Sequence, residues 1–342
     1  MRAQVVVLGP VEREMYVRLS EDLLPAGSKR AEELSWRIVG GGVEVSERLA
    51  RLGLSAAIVT GMGTSAEDKE VLIALRKRGI QTRGIRSDAR TTPVTVRVRT
   101  PRHEIRMTSA ASDGTPSKQV VLRALPGSRH FHVCGSILAE RRSFETATSG
   151  FARARSAGAS TSLDVNGLPP TSDWGALRSL LSHVDVLFAD SETLRALADL
   201  ARIGVAATST LELGVGAIAV RLGAGGSRVY SRDKTNRAVR VPSLGAEVER
   251  TGSAFASGYL LGWLLGLRPE ICGVFGAAAA LETTKPKLPD RRELASRLAE
   301  ARRNPLFRKL VPALSEGGRL LDRTRRLPRR DLAPSKPSRE KA

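Results

Sequence analysis

The chain has 342 residues, 41% of them apolar, so it can bury one large core or two small ones, and a wholly disordered protein is excluded. A net charge of +20 is unusual for an enzyme acting on small molecules and permits attraction to anionic surfaces. Two cysteines, Cys134 and Cys272, are too few for a disulfide framework or a zinc site, and their apolar neighbours suit buried core positions.

Gln4 to Gly9 reads as a buried strand, and its apolar run is too short for a secretion signal. Glu32 to Val39 is a weaker strand candidate. Gly40-Gly41-Gly42 leads into a helix from Val43 to Leu52, stopped by Gly53. Ser55 to Gly61 is a second apolar strand, and Ala66 to Arg78 a helix ending at Gly79. Thr92 to Arg99 alternates: Val94, Val96 and Val98 point one way, Thr95, Arg97 and Arg99 the other. Ile105 and Met107 continue the pattern beyond a turn at Pro101-Arg102, which predicts an antiparallel hairpin with one wet face. His130 to Cys134, Thr161 to Val165, Val184 to Phe188 and Ala217 to Leu222 are short apolar runs with helical patterns after or between them. The alternation of His130 with His132 suits core or edge packing. Gly252 to Ala301 is helical and rich in Ala and Leu, and Pro305 to Leu321 is a further amphipathic candidate. Tyr259 to Leu267, the longest apolar stretch, is too short to span a bilayer, so no membrane and a cytoplasmic location are expected. From Arg323 onward, arginines, lysines and prolines predict a disordered basic tail capable of a weak nucleic-acid contact.

This rhythm predicts an α/β fold with a mainly parallel central sheet, helices on both faces and a small antiparallel β lid. The expected organisation is an α/β domain over residues 1–303, with lid strands within about 11–40 and 91–110. A helical extension over 304–321 and the basic tail over 322–342 follow.

Ligands of open α/β sheets sit at the carboxyl ends of strands. The junctions to inspect are Gly40-Gly41-Gly42, Asp164-Val165-Asn166, Asp190-Ser191-Glu192-Thr193, Gly223 to Gly226, and Thr251-Gly252-Ser253 ahead of a long helix whose amides can hold an anion. Neither a Walker A motif nor a Rossmann glycine fingerprint is present.

Taken in order, these junctions resemble the ribokinase-like (PfkB) family of carbohydrate and nucleoside kinases, over roughly Val5 to Ala299. Gly40-Gly41-Gly42 with Leu49-Ala50-Arg51-Leu52-Gly53 is similar to its first signature. Leu222-Gly223 through Gly226 resembles its nucleotide turn, and Ala254 to Leu260 the run after its Gly-Ala-Gly-Asp loop. The resemblance implies transfer of a phosphoryl group from ATP, with Mg2+, to a sugar-like hydroxyl. An aspartate acts as base and loop amides form an anion hole. It also implies nucleotide or anion binding by Gly223, Gly225, Gly226, Arg250, Thr251 and Gly252. Substrate binding falls to Glu12, Glu14, Gly40, Gly41, Gly42 and Glu44, and a metal contact to Asp190 and Glu192. Homodimerisation through the small sheet is a further implication.

The departures fall where the chemistry should be. Ser253 stands in place of the aspartate and cannot act as a base near neutral pH. Arg250-Thr251-Gly252 replaces Gly-Ala-Gly, and Arg221 replaces the threonine of the nucleotide turn. Asp190 and Thr193 take the places of the Asn and Glu that organise magnesium. The expected function is therefore a pseudokinase, a kinase fold kept as a binding or regulatory module. The alternative is an active, divergent ATP-dependent sugar kinase in which Asp190, Glu192 or Glu249 supplies the missing base or metal contacts. That alternative predicts a carboxylate within hydrogen-bond reach of the acceptor hydroxyl in the folded site, and the lack of any carboxylate near Ser253 would count against it. A scaffold in a nucleic-acid-associated complex is the further possibility.

Overall fold

The computed structural model of the chain describes residues 3–323, apart from 23–27, 88–91, 110–114, 140, 167, 169–170, 233–238, 242–251 and 282–288. Its strands are β1 (Val5–Leu8), β2 (Glu12–Arg18), β3 (Glu33–Val39), β4 (Ala56–Met62), β5 (Gln81–Ser87), β6 (Val94–Arg99), β7 (Glu104–Thr108), β8 (His130–Cys134), β9 (Ser160–Asp164), β10 (Val186–Asp190), β11 (Ala217–Arg221), β12 (Ser227–Ser231) and β13 (Val239–Val241). Its helices are α1 (Gly41–Arg51), α2 (Ala66–Lys77), α3 (Lys118–Ala124), α4 (Arg141–Ser156), α5 (Trp174–Leu180), α6 (Ser191–Ala198), α7 (Ile203–Glu212), α8 (Gly252–Leu264), α9 (Pro269–Ala280), α10 (Arg291–Arg303) and α11 (Val311–Arg323).

Nine strands form the central sheet in the order β13-β12-β11-β10-β9-β8-β1-β4-β5. Pairing is parallel from β5 through to β11, while β12 and β13 are antiparallel additions at one edge. β1, β4, β10 and β11 are near-continuous apolar runs because helices cover both faces. On one face Val5, Val7, Val186 and Phe188 pack under α1 and α8 to α10, and Phe307, Leu314 and Leu321 of the C-terminal segment join that same core. On the other face Val6, Phe131 and Leu187 pack against α4 to α7. Helix α2 starts on a capping box, in which the Asp68 N–H donates to Ser65 Oγ at 3.2 Å and the Ser65 N–H to Asp68 Oδ2 at 3.0 Å.

The small sheet has the order β3-β2-β6-β7 and carries the predicted hairpin. Its central strand β2, written Glu-Arg-Glu-Met-Tyr-Val-Arg, escaped the sequence reading because its charges resemble a loop. The wet face is not the one that its polar residues suggest. Thr95 and Glu14 are fully buried, whereas Trp36 and Met107 are more than half exposed. Ion pairs across the strands make this possible. Arg97 Nε donates to Glu14 Oε2 at 2.8 Å, its Nη1 pairs with Glu104, and Arg106 Nη2 meets Glu12 Oε2 at 2.6 Å. No helix among the described residues is long and apolar enough to cross a membrane. The basic tail lies outside the described residues from 324 onward.

Candidate functional site

The chain runs from β1 outward to β4 and β5, then returns to β8 on the other side of β1. That reversal is where an open α/β sheet leaves a crevice for a ligand. A cleft of about 460 Å³ opens there, lined by residues of α1, α8, the strand ends and the lid.

Register decides which side chains meet. Cys134 pairs with Asp164 across β8 and β9, Asp164 with Phe188, and Asp190 with Arg221 across β10 and β11. Phe188 lies under α8, so with a period of two Cys134, Asp164, Asp190 and Arg221 all emerge on the α8 side at the carboxyl edge. Two helices then point their first turns at this edge. Gly40 enters α1 at φ 113°, and a Cβ there would stand 2.5 Å from the Pro10 carbonyl oxygen, so only glycine takes this turn. Glu44, in the first turn of α1, thereby reaches the cleft.

From the other side α8 brings Gly252 and Ser253. Ser253 Oγ donates a hydrogen bond to Glu44 Oε2 at 2.5 Å. Ser257 Oγ donates to the Ser253 carbonyl at 2.6 Å, which holds the first turn of α8. The Arg221 guanidinium lies against the start of α8: a Cβ on Gly252 would stand 3.4 Å from its Nη2. Burial pushes the Asp164 carboxyl above its usual range, opposed by the Asn166 N–H bond and the Arg221 charge and reinforced by Asp190. Burial also pushes the Cys134 thiol well above its ordinary value, with Asp164 and Glu44 adding to the effect. Cys134 is thus a protonated thiol rather than a nucleophile. The roof is the inward face of the lid, from which Arg97, Glu104 and Arg106 line the cleft.

Of the residues singled out from the sequence, Gly41, Glu44, Gly252 and Ser253 line the cleft together. Gly40 and Gly42 shape the entry to α1, where a Cβ on Gly42 would meet the Gly9 carbonyl oxygen at 2.7 Å. Glu12 and Glu14 lie on the inward lid face, held by Arg106 and Arg97. Gly223, Gly225 and Gly226 form the turn between β11 and β12 and are not among the cleft-lining residues. Asp190 Oδ1 accepts from the Thr193 N–H at 2.7 Å as the cap of α6, and Glu192 is exposed in the first turn of that helix. Neither reaches Ser253 by any contact among the described residues. The carboxylate that does is Glu44, read from the sequence as a substrate residue only. Arg250, Thr251 and Glu249 lie outside the described residues. Sequence reasoning missed Arg97, Glu104 and Arg106, because strand pairing alone turns them inward. It noted Arg221 only as a departure, although a charge ending an otherwise apolar strand was the signal available.

Fold and switch-point cleft define an α/β protein in which two helix starts and the Arg221 guanidinium lie beside a hydroxyl and a carboxylate. The chain belongs to the pfkB family of carbohydrate kinases, whose model matches residues 2–289. Solved structures agree on the fold. A PfkB protein from Polaromonas sp. JS666 is 23% identical, with a TM-score of 0.71, covering 85% of this chain and 99% of that one. A ribokinase from Thermotoga maritima is 19% identical, with a TM-score of 0.73, covering 87% and 99%. A ribokinase from Arabidopsis thaliana, solved with ribose and ATP, is 19% identical with a TM-score of 0.72, covering 87% and 99%. No curated protein sequence matches the chain.

The site's residues fit a polyphosphate, since the start of α8 and the Arg221 guanidinium converge on one place. Among the described residues no group of three or more His, Cys, Asp or Glu side chains could hold a metal. Of the carboxylates at this edge Asp164 lines the cleft, where a magnesium ion held mainly by phosphate oxygens and water would need few protein ligands, while Asp190 caps α6 and is not among the cleft-lining residues.

Proposed function

We propose that the chain is an active, divergent ATP-dependent phosphotransferase acting on a hydroxyl of a sugar-like molecule, with Glu44 taking the role of the absent aspartate. One observation carries this reading: the Glu44 carboxylate lies 2.5 Å from Ser253 Oγ, at the position that the sequence resemblance assigns to the family's base. The carboxylate predicted near the acceptor is thereby supplied from α1 instead of from α8. Arg221 and the N-terminus of α8 supply fixed positive charge for a transferring phosphoryl group, the larger part of catalysis in such reactions. Bound Mg2+ would neutralise phosphate charge, with Asp164 as its protein contact in the cleft. The inward lid face offers hydroxyl partners through Arg97, Glu104 and Arg106.

The test is ADP release over a panel of sugars, sugar acids and nucleosides. Wild-type turnover is expected, and Glu44→Gln should lower kcat by about 10²- to 10⁴-fold while leaving ATP affinity nearly unchanged. Equal turnover in the Glu44→Gln variant would sink the assignment of Glu44. A pseudokinase remains the second reading, favoured by Ser253 itself and by the engagement of Asp190 as a helix cap. It predicts ligand binding without ADP release across the whole panel.

The outward lid face supports a homodimer. Rows Trp36–Met15–Val96–Met107 and Leu34–Val17–Val98–Ile105 cross all four strands, and Leu34, Trp36 and Met107 are 63%, 52% and 54% exposed. Light scattering on the Trp36→Glu variant should give a monomer where the parent gives a dimer. For the basic tail, a weak nucleic-acid contact predicts salt-sensitive binding that disappears when residues 323–342 are deleted.

A further inference from the structure

We propose that Ser253 is itself a phosphoryl acceptor, converted to phosphoserine in the presence of a nucleoside triphosphate with Glu44 as the base. The inference rests on the reading that the cleft receives such a donor. It goes further in making the acceptor part of the protein.

A serine hydroxyl is a poor nucleophile until an adjacent base takes its proton. Ser253 Oγ already donates to Glu44 Oε2 at 2.5 Å, which is the nucleophile–base arrangement. Both side chains are held by helix first turns, and both line the cleft, so the hydroxyl is reachable from outside. The third element of such a centre is a place for the electrophile's charge. Arg221, whose guanidinium lies against Gly252 at the start of α8, provides it, together with the positive end of that helix. The plainer account is that the Ser253–Glu44 bond stitches α1 to α8. The two helices are already joined by packing, since Val45 and Leu49 of α1 share one buried core with Phe255 and Leu260 of α8. The plainer account also leaves unexplained why a hydroxyl and a carboxylate meet inside the cleft.

The step balances without any further reagent. Glu44 Oε2 accepts the Ser253 proton, and Oγ attacks the terminal phosphorus. The Oγ–P bond forms as the bond from that phosphorus to the bridging oxygen breaks, and the electron pair leaves with the nucleoside diphosphate. The product carries roughly −1.5 to −2 charges beside Glu44 and Arg221. Arg221 can pair it, and like-charge repulsion then disfavours a second donor in the same cleft. Without an acceptor, the reaction should stop at one phosphate per chain.

The experiment incubates the purified full chain with MgATP and no acceptor. It reads the intact mass and the Ser253 peptide by mass spectrometry, with calorimetric titration of a non-hydrolysable ATP analogue and the acceptor panel run in parallel. One phosphoryl group on Ser253 is expected, absent in Ser253→Ala and slowed about a hundredfold or more in Glu44→Gln. Ser253→Thr keeps a hydroxyl and should carry the phosphate on threonine, which covers failure of the alanine variant to fold. Phosphoserine without turnover of any acceptor supports this inference and removes the small-molecule kinase reading. Acceptor turnover with Ser253 unmodified does the reverse. A bound donor with neither product, or phosphate on another residue, overturns the inference, and a chain that binds no donor overturns both.

Discussion

In the central sheet, Val5, Val7 and Phe188 face one helical layer and Val6, Phe131 and Leu187 the other, all buried. In the lid sheet the buried face carries Glu14, Thr95 and Arg97, and the more exposed face carries Met15, Trp36, Val96 and Met107. The first sheet is held by transfer of apolar surface from water, which is non-directional and tolerant of similar residues. The second is held by paired charges, whose geometry must be met because an unpaired buried charge is costly. The difference has a use. Apolar side chains would fill the cleft roof inertly, whereas fixed donors and acceptors can read hydroxyls. The lid therefore turns its apolar side outward, with Leu34, Trp36 and Met107 exposed.

The comparison can be broken most sharply at Arg97. Arg97→Met takes from the buried Glu14 the guanidinium bonded to its Oε2 and should destabilise the lid by up to about 3–5 kcal/mol, read as a fall in the denaturant midpoint. Combining it with Glu14→Leu should recover much of that loss. If the single variant is as stable as the parent, the lid is not held by charge.

A second test exploits polar groups inside the otherwise apolar central sheet. His130 bonds Ser160 and Ser162 at 2.7 Å through its two ring nitrogens, and His132 Nδ1 lies 2.7 Å from Ser162 Oγ. Burial lowers the His132 pKa to about 3, and lowers that of His130 well below its usual value, with the His132 charge adding. A lowered histidine pKa means that the folded chain binds fewer protons than the unfolded one. This stability is complete above the unfolded value near 6.5 and is lost as pH falls toward the folded value. At about 1.4 kcal/mol per unit, His132 alone should remove roughly 3 kcal/mol by about pH 4.5. Chemical denaturation across that range checks it, and a flat profile would show that the imidazoles are not buried in solution. The smallest effect is at a strand end of the same sheet: Asp190→Ala removes the cap of α6 and should cost about 1 kcal/mol in thermal melts.

Much of this was legible in the sequence. Parallel strands such as Ala217–Arg221 announce themselves because burial on both faces demands an unbroken apolar run. Gly53 and Gly79 mark helix ends because their φ of 82° and 79° excludes other residues. β2 was not legible, because its parallel partner β6 lies far along the chain; β12 and β13 escaped although their antiparallel partners are near in sequence, because Ser-Arg-Val-Tyr-Ser and Val-Arg-Val are short and interrupted by charge.

For the site, the sequence by itself determined that residue 253 is a serine, where the family resemblance leads one to expect an aspartate. It also determined the glycine turn and helix start that deliver Glu44. Only the tertiary structure decided which carboxylate meets Ser253. Glu44 and Ser253 are 209 positions apart, and their meeting depends on how α1 and α8 pack on one face of the sheet. Register likewise decided that Arg221 faces α8 and that Arg97 points inward. A side chain's face follows from strand pairing, and pairing is a property of the whole fold.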